Sequence, residues 1–238
     1  MTQPTLTGKS ALITGGSRGI GFAIAQRLGQ LGARIGICGR DQSSLDAAST
    51  HLRGKGIDAF AVSADVSHAG QVSSFVEKAL SRFTSIDFLV NNAGTGRFGP
   101  VQDFTEADWD TVLDTNLKGV FLVSRAVVPS MISHGRGHIV NISSLAGKNF
   151  FPGGGLYCAS KWGLLGLTCC MGEDLRAHGI RVTAVCPGSV ATEFGHPSSK
   201  NVHKMLQPRD VAHAVEMVIT AEPQSFISEV VMRPTQKP

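Results

Sequence analysis

The chain has 238 residues, of which 42% are hydrophobic and 17% charged, and its formal net charge is +4. Low charge with abundant Val, Ile, Leu and Ala excludes a disordered chain, and this length buries enough surface to need neither disulfides nor a metal. No run reaches the roughly 18 apolar residues of a membrane span, and residues 1–10 lack a signal-peptide pattern, so one cytoplasmic domain (1–238) with no membrane partner is expected.

Short β-branched runs lie at residues 11–14, 34–38, 59–62, 87–90, 138–142, 181–186 and 228–232. Segments of helical period separate most of them, at 20–31, 43–53, 71–83, 108–132, 156–177 and 211–220. This alternation predicts an α/β fold, a doubly wound parallel sheet of about seven strands with helices on both faces. Near-continuous apolar strands fit a sheet buried on both sides. Thr105-Glu106-Ala107-Asp108 reads as a capped start for the long fourth helix. One irregular span, 192–208, holds Gly195, Pro197 and Pro208 and is expected to form a substrate lid.

Five cysteines are scattered without a C-x-x-C pair, and four lie in apolar runs where a cysteine is usually a small buried hydrophobe. The eight histidines show no metal-ligand spacing, so no metal is predicted. Residues 1–60 carry seven Lys or Arg against three Asp, whereas the remainder balances at fifteen each. A nucleic-acid binder usually has a denser basic stripe interleaved with aromatics, so no nucleic-acid partner is expected. A surplus confined to one segment suits a small polyanion, with scattered solvated charges as the alternative.

The first strand runs into Thr14-Gly15-Gly16-Ser17-Arg18-Gly19-Ile20-Gly21 and then a helix. Glycines there let the backbone turn tightly and approach a ligand, and the helix N-terminus attracts phosphate. The spacing is G-x-x-x-G-x-G, and a purely structural turn is the other reading. The second strand ends at Cys38-Gly39-Arg40, where an acid would hold the ribose hydroxyls of NAD and an arginine accommodates the extra phosphate of NADP. Arg18 and Arg40 with no acid favour NADP(H) over NAD(H). A loop-capping role for Arg40 would explain neither Gly39 nor Arg18.

Tyr157 is the only tyrosine and lies four residues before Lys161, in Tyr-Cys-Ala-Ser-Lys. At that spacing both side chains share one helical face. A nearby ammonium favours phenolate and is expected to lower the tyrosine pKa from its usual value of about 10. The result would be an acid–base catalyst near neutral pH.

These motifs, over nearly the whole chain, resemble those of the short-chain dehydrogenase/reductase family. The loop Gly15 to Gly21 is similar to its T-G-x-x-x-G-x-G. Asp65-Val66 resembles the acid that bonds the adenine amino group and its ring-packing neighbour. Asn91-Asn92-Ala93-Gly94 matches the family's N-N-A-G, and Pro187-Gly188-Ser189-Val190-Ala191-Thr192 its nicotinamide-facing P-G segment. The resemblance implies a Rossmann fold and a catalytic tetrad of Asn116, Ser144, Tyr157 and Lys161, with spacing to Tyr157 selecting Ser144 over Ser143. It implies that Ser144 holds a substrate carbonyl, Tyr157 exchanges its proton, and Lys161 tunes Tyr157 and holds the nicotinamide ribose. Asn116 would hold a water leading to solvent; a local helix bend is its alternative reading.

The same resemblance implies an NADP(H)-dependent oxidoreductase that interconverts a small carbonyl compound and its alcohol. Phe98, Phe150, Phe151 and Phe194 lie on segments that border the pocket in the family, implying an apolar or aromatic substrate, with core packing as the alternative. The resemblance runs to 3-oxoacyl-carrier-protein reductases and carbonyl reductases. Against the former, the usual G-Q-x-x-x-V-D-G-G tail is absent, and His178 stands where a carrier-docking arginine often sits. A homodimer or homotetramer is expected, the dimer packing through the helices 108–132 and 156–177. A sensor or scaffold that binds NADP without turnover is the alternative of another class.

Overall fold

Seven strands form one sheet in the order β3-β2-β1-β4-β5-β6-β7, each neighbouring pair parallel. The computed structural model describes residues 5–194 and 199–236. The strands are β1 (Ser10–Thr14), β2 (Arg34–Gly39), β3 (Ala59–Ser63), β4 (Phe88–Asn91), β5 (Gly137–Ile142), β6 (Ile180–Pro187) and β7 (Glu229–Met232). Each agrees with its expected run to within one residue at either end, because a strand buried on both faces announces itself as an unbroken apolar run. The helices are α1 (Gly19–Gln30), α2 (Gln42–Gly54), α3 (Ala69–Phe83), α4 (Glu106–Leu113), α5 (Gly119–Ser133), α6 (Gly155–Arg176) and α7 (Pro208–Ile219). This is the doubly wound Rossmann arrangement.

Side chains alternate across each strand and so feed two cores. Ala11 and Ile13 of β1, Val90 of β4 and Val140 of β5 join Ile24, Leu28, Leu45, Leu52, Val211 and Val215 of α1, α2 and α7. Leu12, Leu89 and Ile139 join Phe75, Val76, Val123, Val127 and Leu175 of α3, α5 and α6. The second core also carries hydrogen-bonded polar groups. Asn91 donates to Asn141 (2.9 Å) and to Ser124 (3.0 Å), and Asn141 donates to Thr168 (2.9 Å). On the opposite face, that of the first core, buried His138 meets Thr183 at 2.8 Å, and the Thr183 hydroxyl donates to the Ile227 carbonyl. Thr183 thus accepts from His138 Nε2–H, which leaves the buried Nδ1 lone pair without a partner.

Two expectations need correction. The helix expected over 108–132 is α4 and α5 joined by a π-helical turn, Asp114–Lys118, with Asn116 fully buried inside it. Its start is as expected: Thr105 and Asp108 cap α4 reciprocally. The widened turn accommodates one extra residue; apolar spacing carries no record of it, because the residue buried at its centre, Asn116, is polar. Among the cysteines, Cys38, Cys158 and Cys186 are buried, but Cys169 and Cys170 are exposed on α6.

Of the expected lid, residues 195–198 lie outside the described residues. Ser199–Lys204 forms a short, kinked 3-10 segment. Beyond it, Ala191 N–H donates to Leu206 O (2.8 Å) and Leu206 N–H to Ser189 O (3.0 Å), pinning the end of this span to the chain leaving β6. Among the described residues no helix is long and apolar enough to cross a membrane.

Candidate functional site

Strand order reverses between β1 and β4, so their carboxyl ends splay apart into a crevice, the usual ligand position in such sheets. Backbone and side chains staple its floor. Asn92 and Ala93 N–H both donate to Thr14 Oγ1 at 3.0 Å, and the Asn92 amide donates to the carbonyls of Thr14 (3.0 Å) and Gly15 (3.1 Å). The fit is tight: a Cβ on Gly21 would lie 2.2 Å from Gly15 O. Gly15 and Gly19 take φ of +62° and +55°, the left-handed region that favours glycine. Helix α1 then begins with no capping side chain and no acid in its first turn. Its N–H groups and positive dipole end therefore face the crevice uncompensated, a setting that could hold a pyrophosphate.

Beside this loop, a cavity of about 360 Å³ is lined by Ser17, Arg18, Phe22, Ser44, His51 and Glu193, among others. Arg18 pairs with Glu193 at 2.6 Å, both largely exposed; an ion pair of this kind contributes only about 0–1 kcal/mol, so a phosphate could displace it. A Cβ on Gly19 would lie 3.4 Å from the Thr192 methyl, so the segment after β6 reaches over the glycine loop. Arg40 is exposed, and among the described residues its guanidinium has no ion-pair partner. Burial pushes the Asp65 carboxyl up, but hydrogen bonds from Ser67 and the charges of Arg40 and His68 outweigh it and hold the pKa below the ordinary value. A Cβ on Gly39 would meet nothing closer than 3.6 Å. The backbone there leaves room for a Cβ, so close packing alone does not call for glycine at this position.

At the ends of β5 and α6, Tyr157 and Lys161 share one face, with Lys161 Nζ 5.8 Å from the phenol ring centre. Lys161 is buried and donates to Ile142 O (2.9 Å). Ser144 is half-buried at the mouth and accepts from Ala146 N–H (3.1 Å), whereas Ser143 is buried and turns its hydroxyl to the Lys161 carbonyl. Asn116 joins three elements: its Oδ1 accepts from Thr95 N–H (2.8 Å), and its Nδ2 donates to Thr95 O (2.8 Å) and to Ser160 Oγ (3.0 Å). The expected depression of the tyrosine pKa does not appear. Burial pushes Tyr157 up to about 12, against a smaller lowering by Ser144, and pushes Lys161 down to about 8. Desolvation outweighs the ammonium, which is directed at the Ile142 carbonyl instead of the phenol oxygen.

Residues 9–203 match the family model for the short chain dehydrogenase. The chain belongs to this family. It is 37% identical over 199 residues to the 3-oxoacyl-(acyl-carrier-protein) reductase FabG of Staphylococcus aureus, an alignment covering 83% of this chain and 81% of that one. It is 41% identical over 193 residues to a putative ketoacyl reductase of the granaticin polyketide synthase of Streptomyces violaceoruber, covering 80% and 71%. Among solved structures, a metagenomic short-chain oxidoreductase in complex with NADP superposes with a TM-score of 0.87 at 44% identity, covering 98% of this chain and 99% of that one.

In this short-chain dehydrogenase, the crevice brings together the glycine loop (Gly15, Ser17, Arg18, Gly19, Ile20, Gly21), the segment Asn92, Ala93 and Gly94, and Thr192. Pro187 ends β6, Gly188 N–H donates to Met232 O (2.9 Å), and Val190 bridges to Leu206. Asp65 and Val66 follow β3. Four participants are not among the site residues expected from the sequence. Thr14 and Thr95 staple the crevice, Ser160 receives Asn116, and Glu193 meets Arg18 from 175 positions away. Thr14 has a local signal, as the last residue before the glycine loop; the others are joined only by the fold. Of the four phenylalanines, Phe98, Phe151 and Phe194 cluster with Tyr157, but Phe150 is 91% exposed and belongs to neither the cluster nor the core.

Proposed function

We propose that this protein is an NADP(H)-dependent oxidoreductase that interconverts a carbonyl compound and its alcohol, with Tyr157 as the proton donor and acceptor. The observation that carries it is the single tyrosine, four residues from a buried lysine, standing beside a crevice shaped for a dinucleotide. The charges of Arg18 and Arg40 with the acid-free Gly39 support NADP over NAD, and the NADP in the metagenomic relative agrees. When bound, NADPH supplies the hydride. The α1 N-terminus and glycine loop would hold its pyrophosphate, and Asp65 and Val66 its adenine. Arg18 and Arg40 would meet the 2′-phosphate, and the wall of Pro187, Gly188, Val190 and Thr192 would face the nicotinamide.

Each side chain of the tetrad then has a physical task. Ser144 would donate to the carbonyl oxygen as negative charge gathers on it. Tyr157, with its pKa near 12, carries its proton at neutral pH, as a donor to that oxygen requires. Lys161 keeps a positive charge beneath the phenol and a donor for a ribose hydroxyl. Asn116 fixes the π turn against Thr95 and α6, which positions Lys161. The homo-oligomer expectation rests on α4–α6, where Trp109, Phe121 and Trp162 stay half-exposed.

Following NADPH oxidation against a panel of ketones, aldehydes and acetoacetyl thioesters tests this reading. Turnover is expected to fall about a thousandfold in Tyr157→Phe; activity that survives the substitution overturns it. The FabG relative favours a second reading, reduction of 3-oxoacyl thioesters. It requires the thioesters to outcompete simple ketones.

A further inference from the structure

Three phenylalanines form a collar around Tyr157. The Phe98 ring stands edge-on to it with centres 5.6 Å apart, and the Phe194 ring lies 5.5 Å away. Phe98 in turn meets Phe151 at 6.1 Å and Phe194 at 6.3 Å. The rings come from three separate segments, after β4, before α6 and after β6. Core aromatics such as Phe75 and Phe83 keep 1% exposure, but the collar rings keep 42–46%. They are apolar surface left open at a catalytic mouth, the setting in which a ligand completes the burial.

The backbone is arranged to seat these rings. A Cβ on Gly96 would fall 2.7 Å from Phe98 and 3.1 Å from Phe194, and one on Gly154 would fall 2.6 Å from Phe151. Gly99 N–H donates to Gly153 O at 2.9 Å, clasping the loop of Phe98 to the loop of Phe151. The nearest cation by sequence, Arg97, is turned to Asp108 at 3.3 Å. Among the described residues the collar therefore offers π faces and edges, with Arg97 turned away from it.

We propose that the site selects carbonyl compounds with an aromatic ring directly on the carbonyl carbon, the ring seating among Phe98, Phe151 and Phe194 while the oxygen meets Tyr157. This rests on the reading of Tyr157 as proton donor. Phe98 and Phe194 have ring centres within 5.6 Å of the phenol, and Phe151 backs Phe98, so the substituent on the carbonyl carbon is what reaches them. In reduction the C=O π bond breaks, the carbon gains a C–H bond from the hydride of NADPH, which leaves as NADP⁺, and the oxygen gains the Tyr157 proton.

The test measures kcat/KM with NADPH for a matched pair, phenyl methyl ketone and cyclohexyl methyl ketone, in the wild type, Phe98→Leu and Phe151→Leu. Each substitution is expected to lower the aryl-to-cyclohexyl ratio about fivefold. Calorimetric binding of phenyl methyl ketone and cyclohexyl methyl ketone to the NADP⁺-loaded wild type, which has no hydride to give, needs no variant, and about fivefold tighter binding of the aryl ketone is expected. Ketone turnover with no aryl preference in either measurement overturns this inference and leaves the reductase reading standing. Turnover of neither ketone while an aldehyde or acetoacetyl thioester of the panel is reduced likewise overturns this inference and leaves the reductase reading standing; no NADPH oxidation on any of them overturns both.

Discussion

The two halves of the sheet solve different problems. On the β3-β2-β1 side the work is done by backbone: glycines set so close that Gly21 has no room for a methyl group, over a core of Ile, Leu and Ala. On the β4-β5-β6 side it is done by side chains, and both faces of the sheet there carry buried hydrogen-bonded groups, Asn91, Asn141 and Thr168 on one and His138 and Thr183 on the other. A diphosphate is recognised by main-chain N–H groups, which demands close approach. A proton donor must instead be held at one angle, which calls for side chains fixed by their own partners. The first half is vulnerable to added volume, the second to added charge.

The largest expected effect lies in the first half. Gly21→Ala drives a methyl group into the Gly15 carbonyl and should cost about 3 kcal/mol in urea unfolding, with dinucleotide binding lost. Gly39→Ala, whose new carbon has room, should stay within about 0.5 kcal/mol of the parent in the same experiment. Equal losses for the two would erase the proposed contrast.

The next effect tests the second half. Burial pushes His138 down to about 3, with a smaller contribution from Arg181. The unfolded chain, with an ordinary histidine, takes up a proton that the folded one refuses. The stability due to this group is therefore complete above pH 6.5 and is lost as pH falls toward 3, by about 2 kcal/mol between pH 6.5 and 5. Urea unfolding across that range should show this slope, and His138→Phe should flatten it. A slope unchanged by the substitution would mean that the buried imidazole is not the sensitive point.

The smallest effect probes charge at the rim of the first half. Arg40→Asp places a carboxylate where a 2′-phosphate would lie, and the NADPH-to-NADH ratio of kcat/KM should fall by about tenfold. Unchanged selectivity would discharge Arg40 from that role.

Most of the fold was legible because parallel strands are plain apolar runs and the helices between them keep a regular period. The spacing of Tyr157 and Lys161 likewise survives into space, since one helix carries both. Features that depend on three-dimensional proximity were hidden. Arg18 and Glu193 meet across 175 positions. Phe150 and its neighbour Phe151 look alike in the chain, yet one faces water and the other joins the collar. The direction of the Tyr157 shift turned on desolvation against charge, a balance that no spacing reveals.

The π turn at Asp114–Lys118 also acts as a phase shifter. Each residue of an α-helix advances the azimuth by about 100°, so one surplus residue sets α5 out of step with α4 though the two run on without a break. One continuous rod thereby presents differently oriented flanks before and after the turn. Trimming a residue between Leu113 and Gly119 would not merely shorten the chain: it would rotate a wall of the molecule, swinging Val123 and Val127 off the sheet they cover.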